Sequence, residues 1–551
     1  MISRLAMALF MVASLAGAIG AGVPALFGPG IFPTDPPASE RVEITPQPTP
    51  DGPDGPNVPA TPTEALPTEA PWDASAIKAR LDEPATHYTV EASFNEQEHT
   101  LAIEQTLNYL NSSSDTLTEL WLKALPVVYL DGGFTLHSAS LPCRFTGDGS
   151  TLVITLPEAL APGARADVSL SFTVTLPERV DRYGWYGSLD NFSSFLAYAL
   201  VYENGAWQDF TYGPAMEMGD PYYRPIADFD VRLTAPEGCV VAASSIEQSV
   251  ERSVEPATGA AQATYTYEMR KAREFTFSVS RDYEVTEQRV CGINIRVYST
   301  DEAPGAAEAT LDAAARSLDL FSRTFIPYPY DSLSVVLNGL EEGVGGMEFS
   351  GLIFVDLESS IEGYARTDVP LDWSDNAPEW DFAKRMALLT VVHEVAHQWF
   401  YGIVGGDQIN EPWIDEGGAT FSEYLYAEKC YTTPVAESGF YIAPMYATTY
   451  DNLLEEFAAD ADEQLGGSIG SFSNYGYRYY VYDVPAALFY GMQECLGPDA
   501  FDAALLGFFE EFSFDEVSVE EFATYWRTAA AKTGDELAAR ELDELFTAFL
   551  G

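Results

Sequence analysis

Cysteine, histidine and lysine are all scarce in this chain of 551 residues, which holds five cysteines, five histidines and six lysines. Cys143, Cys239, Cys291, Cys430 and Cys495 are widely spaced and form no CxxC pair. Neither a cysteine-ligated metal site nor a disulfide scaffold fits, while one isolated bridge stays compatible with the spacing. Positive charge is the second shortage. With 28 Lys plus Arg against 84 Asp plus Glu the formal charge is -56, which excludes a nucleic-acid binder working by phosphate neutralisation. Hydrophobic residues at 47% and aromatics at 13% supply enough core that the acid lies on a folded surface and not on a disordered polyanion. Such a surface keeps a salt-exposed or extracellular protein soluble and names no function by itself. At roughly 100 to 200 residues per domain, two to three domains are expected.

Met1, Ile2, Ser3 and Arg4 precede an uncharged, largely apolar run from Leu5 to Phe27. A positive start followed by such a run is export chemistry. Its 23 residues exceed the roughly 7 to 15 of a cleaved signal core and suffice to span a bilayer, so cleavage after Ala18 competes with retention as an anchor. Residues 1–27 are therefore read as a signal peptide or membrane anchor. The expected location is extracellular, secreted or held at the outer face of the cell membrane by residues 5–27, the only membrane contact expected. Residues 28–75 form a Pro/Thr-rich acidic linker, since 13 of the 35 prolines fall between 28 and 71, a composition that favours an extended polyproline II spacer.

From 76 to 285 apolar and polar residues alternate, as in Val168, Leu170, Phe172, Val174 and Leu176, in Phe275, Phe277 and Val279, and along Leu101 to Leu110 and Phe229 to Leu233. Period two with one apolar face predicts half-buried strands and an N-terminal antiparallel β-sandwich-like domain. Residues 286–551 read as mixed and mainly helical, with a helix near 305–326, strands at Ser332 to Leu337 and Leu352 to Leu357, and a helix from Glu379 to Tyr401 stopping at Gly402. Pro412 stands where the next helix begins. The fold class is α+β.

Two of the five histidines occur in His393-Glu394-Val395-Ala396-His397. Residues four apart share a helix face, so both rings can meet one ion while Glu394 points along the edge of the same site. A metzincin would need glycine at 400 and histidine at 403, and the chain has Phe400 and Ile403. Nineteen residues after His397 comes Glu416, in Trp413-Ile414-Asp415-Glu416-Gly417-Gly418-Ala419-Thr420-Phe421. Two histidines and one carboxylate leave a fourth position open for water, as a catalytic zinc requires. Glu423, on the same face of the following helix, can accept a hydrogen bond from a ligating histidine and fix its ring.

These blocks, His393 through Phe400, the interval of 18 residues and Trp413 through Phe421, resemble the zinc signature of the gluzincin aminopeptidases of the aminopeptidase N type. Upstream, Gly345-Gly346-Met347-Glu348-Phe349 is similar to that family's Gly-x-Met-Glu-Asn exopeptidase motif, with Phe349 in the place of asparagine. The resemblance covers roughly 85 to 551 and implies a thermolysin-like zinc peptidase domain behind the β-rich one, in a short form without the large C-terminal helical domain and with a more open cleft. It implies one zinc ion per chain held by His393, His397 and Glu416, with Glu394 as general base. It also implies an edge strand in which Gly345, Gly346 and Met347 approach a peptide backbone while Glu348 binds its free α-amine. A tyrosine that stabilises the oxyanion is implied as well. The match of the helix Ala487 to Met492 selects Tyr482, with Tyr480 as the alternative, although Val484-Pro485 replaces the usual Lys-Gly. The partners implied are peptides with a free N-terminus. Two other readings stay open: a zinc endopeptidase or other zinc hydrolase with an open cleft, and a non-catalytic cell-surface binding protein on a peptidase scaffold.

Overall fold

The computed structural model describes residues 66–550 apart from 212, 214–218, 301–305, 342–343, 357–380, 431–441, 459–464 and 473. The expected leader at 1–27 and most of the linker lie outside the described residues. The end of that linker is docked: the Cys291 and Gly292 amides donate to the carbonyls of Pro67 and Thr68, both at 2.7 Å, and Arg323 lies over the Trp72 ring. A half-buried tryptophan gives this otherwise proline-rich segment something to bury. No helix among the described residues is long and apolar enough to cross a membrane. All five cysteines are free.

The alternating segments form strands whose apolar residues face inward. Thr100–Leu110 buries Leu101, Ile103, Leu107 and Tyr109 and pairs antiparallel with Arg165–Thr175, Ile103 opposite Phe172. With Thr86–Asn95, Ala227–Pro236, Ala261–Ala272, Glu247–Val254 and Phe134–Ala139 they make a seven-stranded sheet. One pairing departs from the antiparallel expectation, because Ala227–Pro236 runs parallel to Thr86–Asn95. The long connection between these two strands frees them from the hairpin geometry that forces antiparallel neighbours. A four-stranded sheet containing Leu117–Lys123 and Thr151–Leu160 adds Leu120, Leu122, Leu152 and Ile154 to the same core, the sandwich-like packing of two sheets. Phe277–Ser280 differs from the half-buried expectation: all four residues are buried, since the strand is flanked by neighbours within another four-stranded sheet and covered on both faces.

A five-stranded sheet follows, in the order Glu284–Val290, Ile293–Ser299, Ser332–Asn338, Leu352–Asp356, Gly346–Phe349. Its three inner strands are parallel. Ser332–Asn338 and Leu352–Asp356 are buried at every position, as parallel strands covered on both faces must be. Both edges, Glu284–Val290 and Gly346–Phe349, run antiparallel to their neighbours. Helices dominate the remainder, among them Ala306–Thr324, Asp381–Ala396, Trp413–Cys430 and Val484–Leu496. The helix expected to reach Tyr401 ends at Ala396. Beyond it the chain winds more widely, with the amides of Gly402, Ile403 and Val404 bonding five residues back, to His397, Gln398 and Trp399. A Cβ at Gly402 would stand 2.7 Å from the Gln398 carbonyl, so glycine is required at the foreseen stop although the regular helix ends sooner.

One buried arginine joins the sheets to the helices. Arg273 donates to the carbonyls of Tyr401 (2.7 Å), Arg224 (3.0 Å) and Asp515 (2.9 Å) and pairs with Glu516 at 2.6 Å, which anchors the turn after His397 from the strand-rich side.

Candidate active site

His393 lies in the last turn of Asp381–Ala396, and His397 follows that helix end directly. Each ring is oriented through Nδ1, His393 by Glu423 Oε1 at 3.0 Å and His397 by the Phe400 carbonyl at 3.2 Å. A carbonyl only accepts, so Nδ1 of His397 carries the hydrogen, and the Glu423 carboxylate imposes the same tautomer on His393. Both Nε2 lone pairs are then free to meet. They do, 3.1 Å apart, with Glu416 Oε2 at 3.2 Å from one and 3.3 Å from the other. Three donors of the N, N, O type converging on one point, with second nitrogens already fixed, fit a tetrahedral divalent ion and suit zinc.

Glu416 sits in the first turn of Trp413–Cys430 and Glu423 two turns further on, so one helix supplies both the third donor and the acid that orients His393. Glu423 is itself held by the Tyr446 hydroxyl. The other oxygen of Glu416 accepts from the Tyr482 hydroxyl at 2.7 Å. Tyr482 stands in a single π-helical turn, Tyr479–Asp483, a widening that recurs at functional sites. Tyr480 packs instead on Phe472 and Tyr479, and among the described contacts only Tyr482 of the two touches the donor group.

The edge strand Gly346–Phe349 closes the site from the other side. Glu348, Glu394 and His397 bring ligand-type atoms within 4.8 Å of one another. A Cβ at Gly346 would collide with the Glu394 carboxylate, so glycine there lets the strand lie against the helix. Gln398 fixes the strand end by accepting from the Gly351 amide (2.8 Å) and donating to the Phe349 carbonyl (2.9 Å). Phe349, the departure from the family motif, is absent from the site: with Met347 it enters a separate core beside Val336, Leu352 and Phe354, because side chains alternate along a strand and Glu348 faces the opposite way. Gly345 precedes the strand and accepts from the Asp356 amide at 2.9 Å.

Carboxylates crowd this pocket. Glu348, Glu394, Asp415, Glu416 and Asp220 are all more than nine-tenths buried. Burial, then the charge of Asp220, pushes Glu348 well above the usual carboxylate range. Burial likewise pushes Glu394 up to about 7 against the pull of His393 and His397, and Asp415 up to about 7 with Glu416 adding repulsion. Burial would raise Glu416, but the two histidines whose Nε2 atoms adjoin it outweigh that and hold it below the usual carboxylate range. Glu394 Oε2 is buried and has no hydrogen-bond partner among the described residues, an acceptor left unused.

Every site residue named from the sequence except Gly345, Met347, Phe349 and the alternative Tyr480 thus has its side chain, or for Gly346 its backbone, at this pocket. Sequence reasoning missed Asp220, paired with buried Arg182, and Gln408, which bonds Glu348 at 3.0 Å and Asp415 at 2.7 Å. Neither belongs to a local pattern that could have revealed it. Asp415 lies inside the quoted block and carried no role.

Residues 309–547 match a model described as the Peptidase family M1 domain. Aminopeptidase M1-B of Oryza sativa subsp. japonica is 26% identical over 245 residues, 44% of this chain and 26% of that protein. Endoplasmic reticulum aminopeptidase 1 of Homo sapiens is 23% identical over 274 residues, 49% of this chain and 27% of that protein. The chain thus spans about a quarter of the length of these curated relatives. A solved M1 zinc metallopeptidase from Deinococcus radiodurans, in a variant bound to a Tyr-Ser-Ala substrate, shares the fold with a TM-score of 0.58 at 20% identity, over 85% of this chain and 94% of that one.

Proposed function

We propose, from the match of residues 309–547 to the Peptidase family M1 domain, that this chain is an M1-type zinc aminopeptidase that removes N-terminal residues from peptides. The observation that carries the reading is the meeting of His393 Nε2, His397 Nε2 and Glu416 Oε2 beside the buried acids Glu348 and Glu394. A zinc ion held by those three residues would supply the Lewis-acid charge that makes water nucleophilic near neutral pH and polarises a carbonyl. Glu394, whose Oε2 is buried without a hydrogen-bond partner among the described residues, accepts the proton of the attacking water and returns it to the departing amine, the two transfers asked of a general base and acid. The Tyr482 hydroxyl donates to the oxyanion as charge builds there. Glu348 holds the substrate's α-ammonium, so that the first peptide bond is the one presented to Glu394.

Gly346 and Met347 belong to this subsite through the backbone of the edge strand, with Gly345 leading into it. Export is part of the proposal, supported by the apolar run Leu5 to Phe27 behind Arg4. The test is zinc analysis together with hydrolysis of free-amine and N-acetylated amino-acid anilides. One zinc per chain and turnover restricted to free amines are expected. Comparable turnover of the blocked substrate would leave an endopeptidase, and no turnover by a zinc-loaded chain would leave a binding protein.

A further inference from the structure

Gln408 lies outside every motif that carries chemistry, ahead of the helix Trp413–Cys430, and is 2% exposed. Its amide nitrogen donates twice, to Glu348 Oε1 at 3.0 Å and to Asp415 Oδ2 at 2.7 Å. The amide sets Nε2, and not its oxygen, against both acids, the orientation required when Glu348 and Asp415 are ionised, since a reversed group would then set its carbonyl oxygen against two carboxylates. Both N–H bonds are consumed. The carbonyl oxygen, attached to the same carbon, is buried and without a hydrogen-bond partner among the described residues. A buried acceptor left unmade is costly and calls for an explanation by function.

The far end of this arrangement is fixed as well. Asp415 Oδ1 accepts from the Glu416 amide at 2.8 Å, so a continuous line runs from the helix that carries Glu416, through Asp415 and Gln408, to Glu348 on the edge strand. Glu348 therefore takes its position from the same helix that supplies the third donor to the histidines. An α-ammonium presents three N–H donors, more than the remaining capacity of one carboxylate already bonded to Gln408 meets well.

We infer that Gln408 determines specificity in the amine subsite: through Nε2 it positions Glu348, and through Oε1 it accepts one N–H of the substrate's primary ammonium group. This rests on the reading of Glu348 as the amine anchor. A subsite made of one carboxylate and one neutral oxygen recognises hydrogens as well as charge, and rejects amino groups that have no N–H to offer.

The test uses the full, zinc-loaded chain with Gln408→Met, which keeps the volume and removes both donor and acceptor, and Gln408→Asn, which keeps an amide but shortens its reach. With a free-amine amino-acid anilide, KM should rise roughly tenfold or more in each variant, with a smaller change in kcat. Zinc content should be unchanged, and a free amino-acid amide should weaken as a competitive inhibitor by a similar factor. Unchanged KM and inhibitor affinity in either zinc-loaded variant, or loss confined to kcat, overturns the inference. Should the methionine variant fail to load zinc, the asparagine variant carries the same prediction. If the unmodified enzyme treats free and blocked substrates alike, it is the reading of Glu348 that fails. If it discriminates and the variants keep their KM, only the role of Gln408 falls.

Discussion

Two histidine–carboxylate pairs, one among the strands and one among the helices, begin alike and end differently. His99 Nδ1 meets Asp190 Oδ1 at 2.6 Å, and His393 Nδ1 meets Glu423 Oε1 at 3.0 Å. Both acids are buried. His99, however, occupies the turn between Thr86–Asn95 and Thr100–Leu110 with φ 49, and its ring lies flat on Trp185 at 3.8 Å. His393 instead turns its second nitrogen toward His397 and Glu416. Among the described residues, close groups of three ligand-type atoms gather only around His393 and His397. A carboxylate on one nitrogen orients a ring, and a helix period that brings a second ring and a third donor to the other nitrogen makes a site.

That contrast is broken most sharply at the residue which touches the converging group without belonging to it. Glu394→Gln should keep its zinc and lose turnover by roughly 10²–10⁴. Metal analysis and kcat on the same preparation check this, and a zinc-loaded variant with near-normal kcat would remove Glu394 as base. Tyr482→Phe should lower kcat by about 10²–10³ with little effect on KM, as expected of a donor used in the transition state. A loss confined to zinc occupancy would instead reduce Tyr482 to a support for Glu416. Glu423→Gln tests the shared feature of the two pairs. It should weaken zinc binding roughly 10- to 100-fold, measured by competition with a chromogenic chelator, and an unchanged affinity would make the acid on His393 as incidental to metal as Asp190 is on His99.

The parts of this architecture visible in the sequence are those set by local period. Alternation announced Arg165–Thr175 and Thr100–Leu110, and a spacing of four placed His393 and His397 on one face. The same period-two rule, applied to the edge strand, would have turned Phe349 away from Glu348 into the core where it lies. The end of the histidine helix was not legible, because Gln398, Trp399, Phe400 and Tyr401 look helical by composition, while the Gln398 and Trp399 amides bond only three residues back, those of Gly402 to Val404 bond five back, and Arg273, from a distant strand, holds the Tyr401 carbonyl. Asp220 and Gln408 were invisible for a related reason. Their roles come from which buried acids the tertiary fold sets beside them, and no spacing along the chain encodes that.

The smallest expected effect belongs to the pair that does no chemistry. Burial pushes Asp190 from its ordinary 3.8 up to about 6, against the opposing pull of His99, while Glu96 adds repulsion. Cys239 and Tyr283 also lie near enough to sense its charge, and burial raises both, so neither ionises in the acid range. A carboxyl whose pKa is higher in the folded chain binds its proton more tightly there. Its contribution to stability is complete below about pH 4 and is lost as pH rises through about 6, amounting to at most about 3 kcal/mol. Asp190→Asn cannot titrate and still offers His99 an acceptor. The stability of the unmodified chain relative to this variant, followed by urea unfolding, should therefore fall between pH 4 and 6 and level off above, with zinc content and turnover unchanged. A difference that stays constant across that window would mean Asp190 is ionised throughout. A change in zinc content would mean that the histidine pair in the sheets communicates with the one in the helices, and the distinction between an oriented ring and a metal site would have to be redrawn.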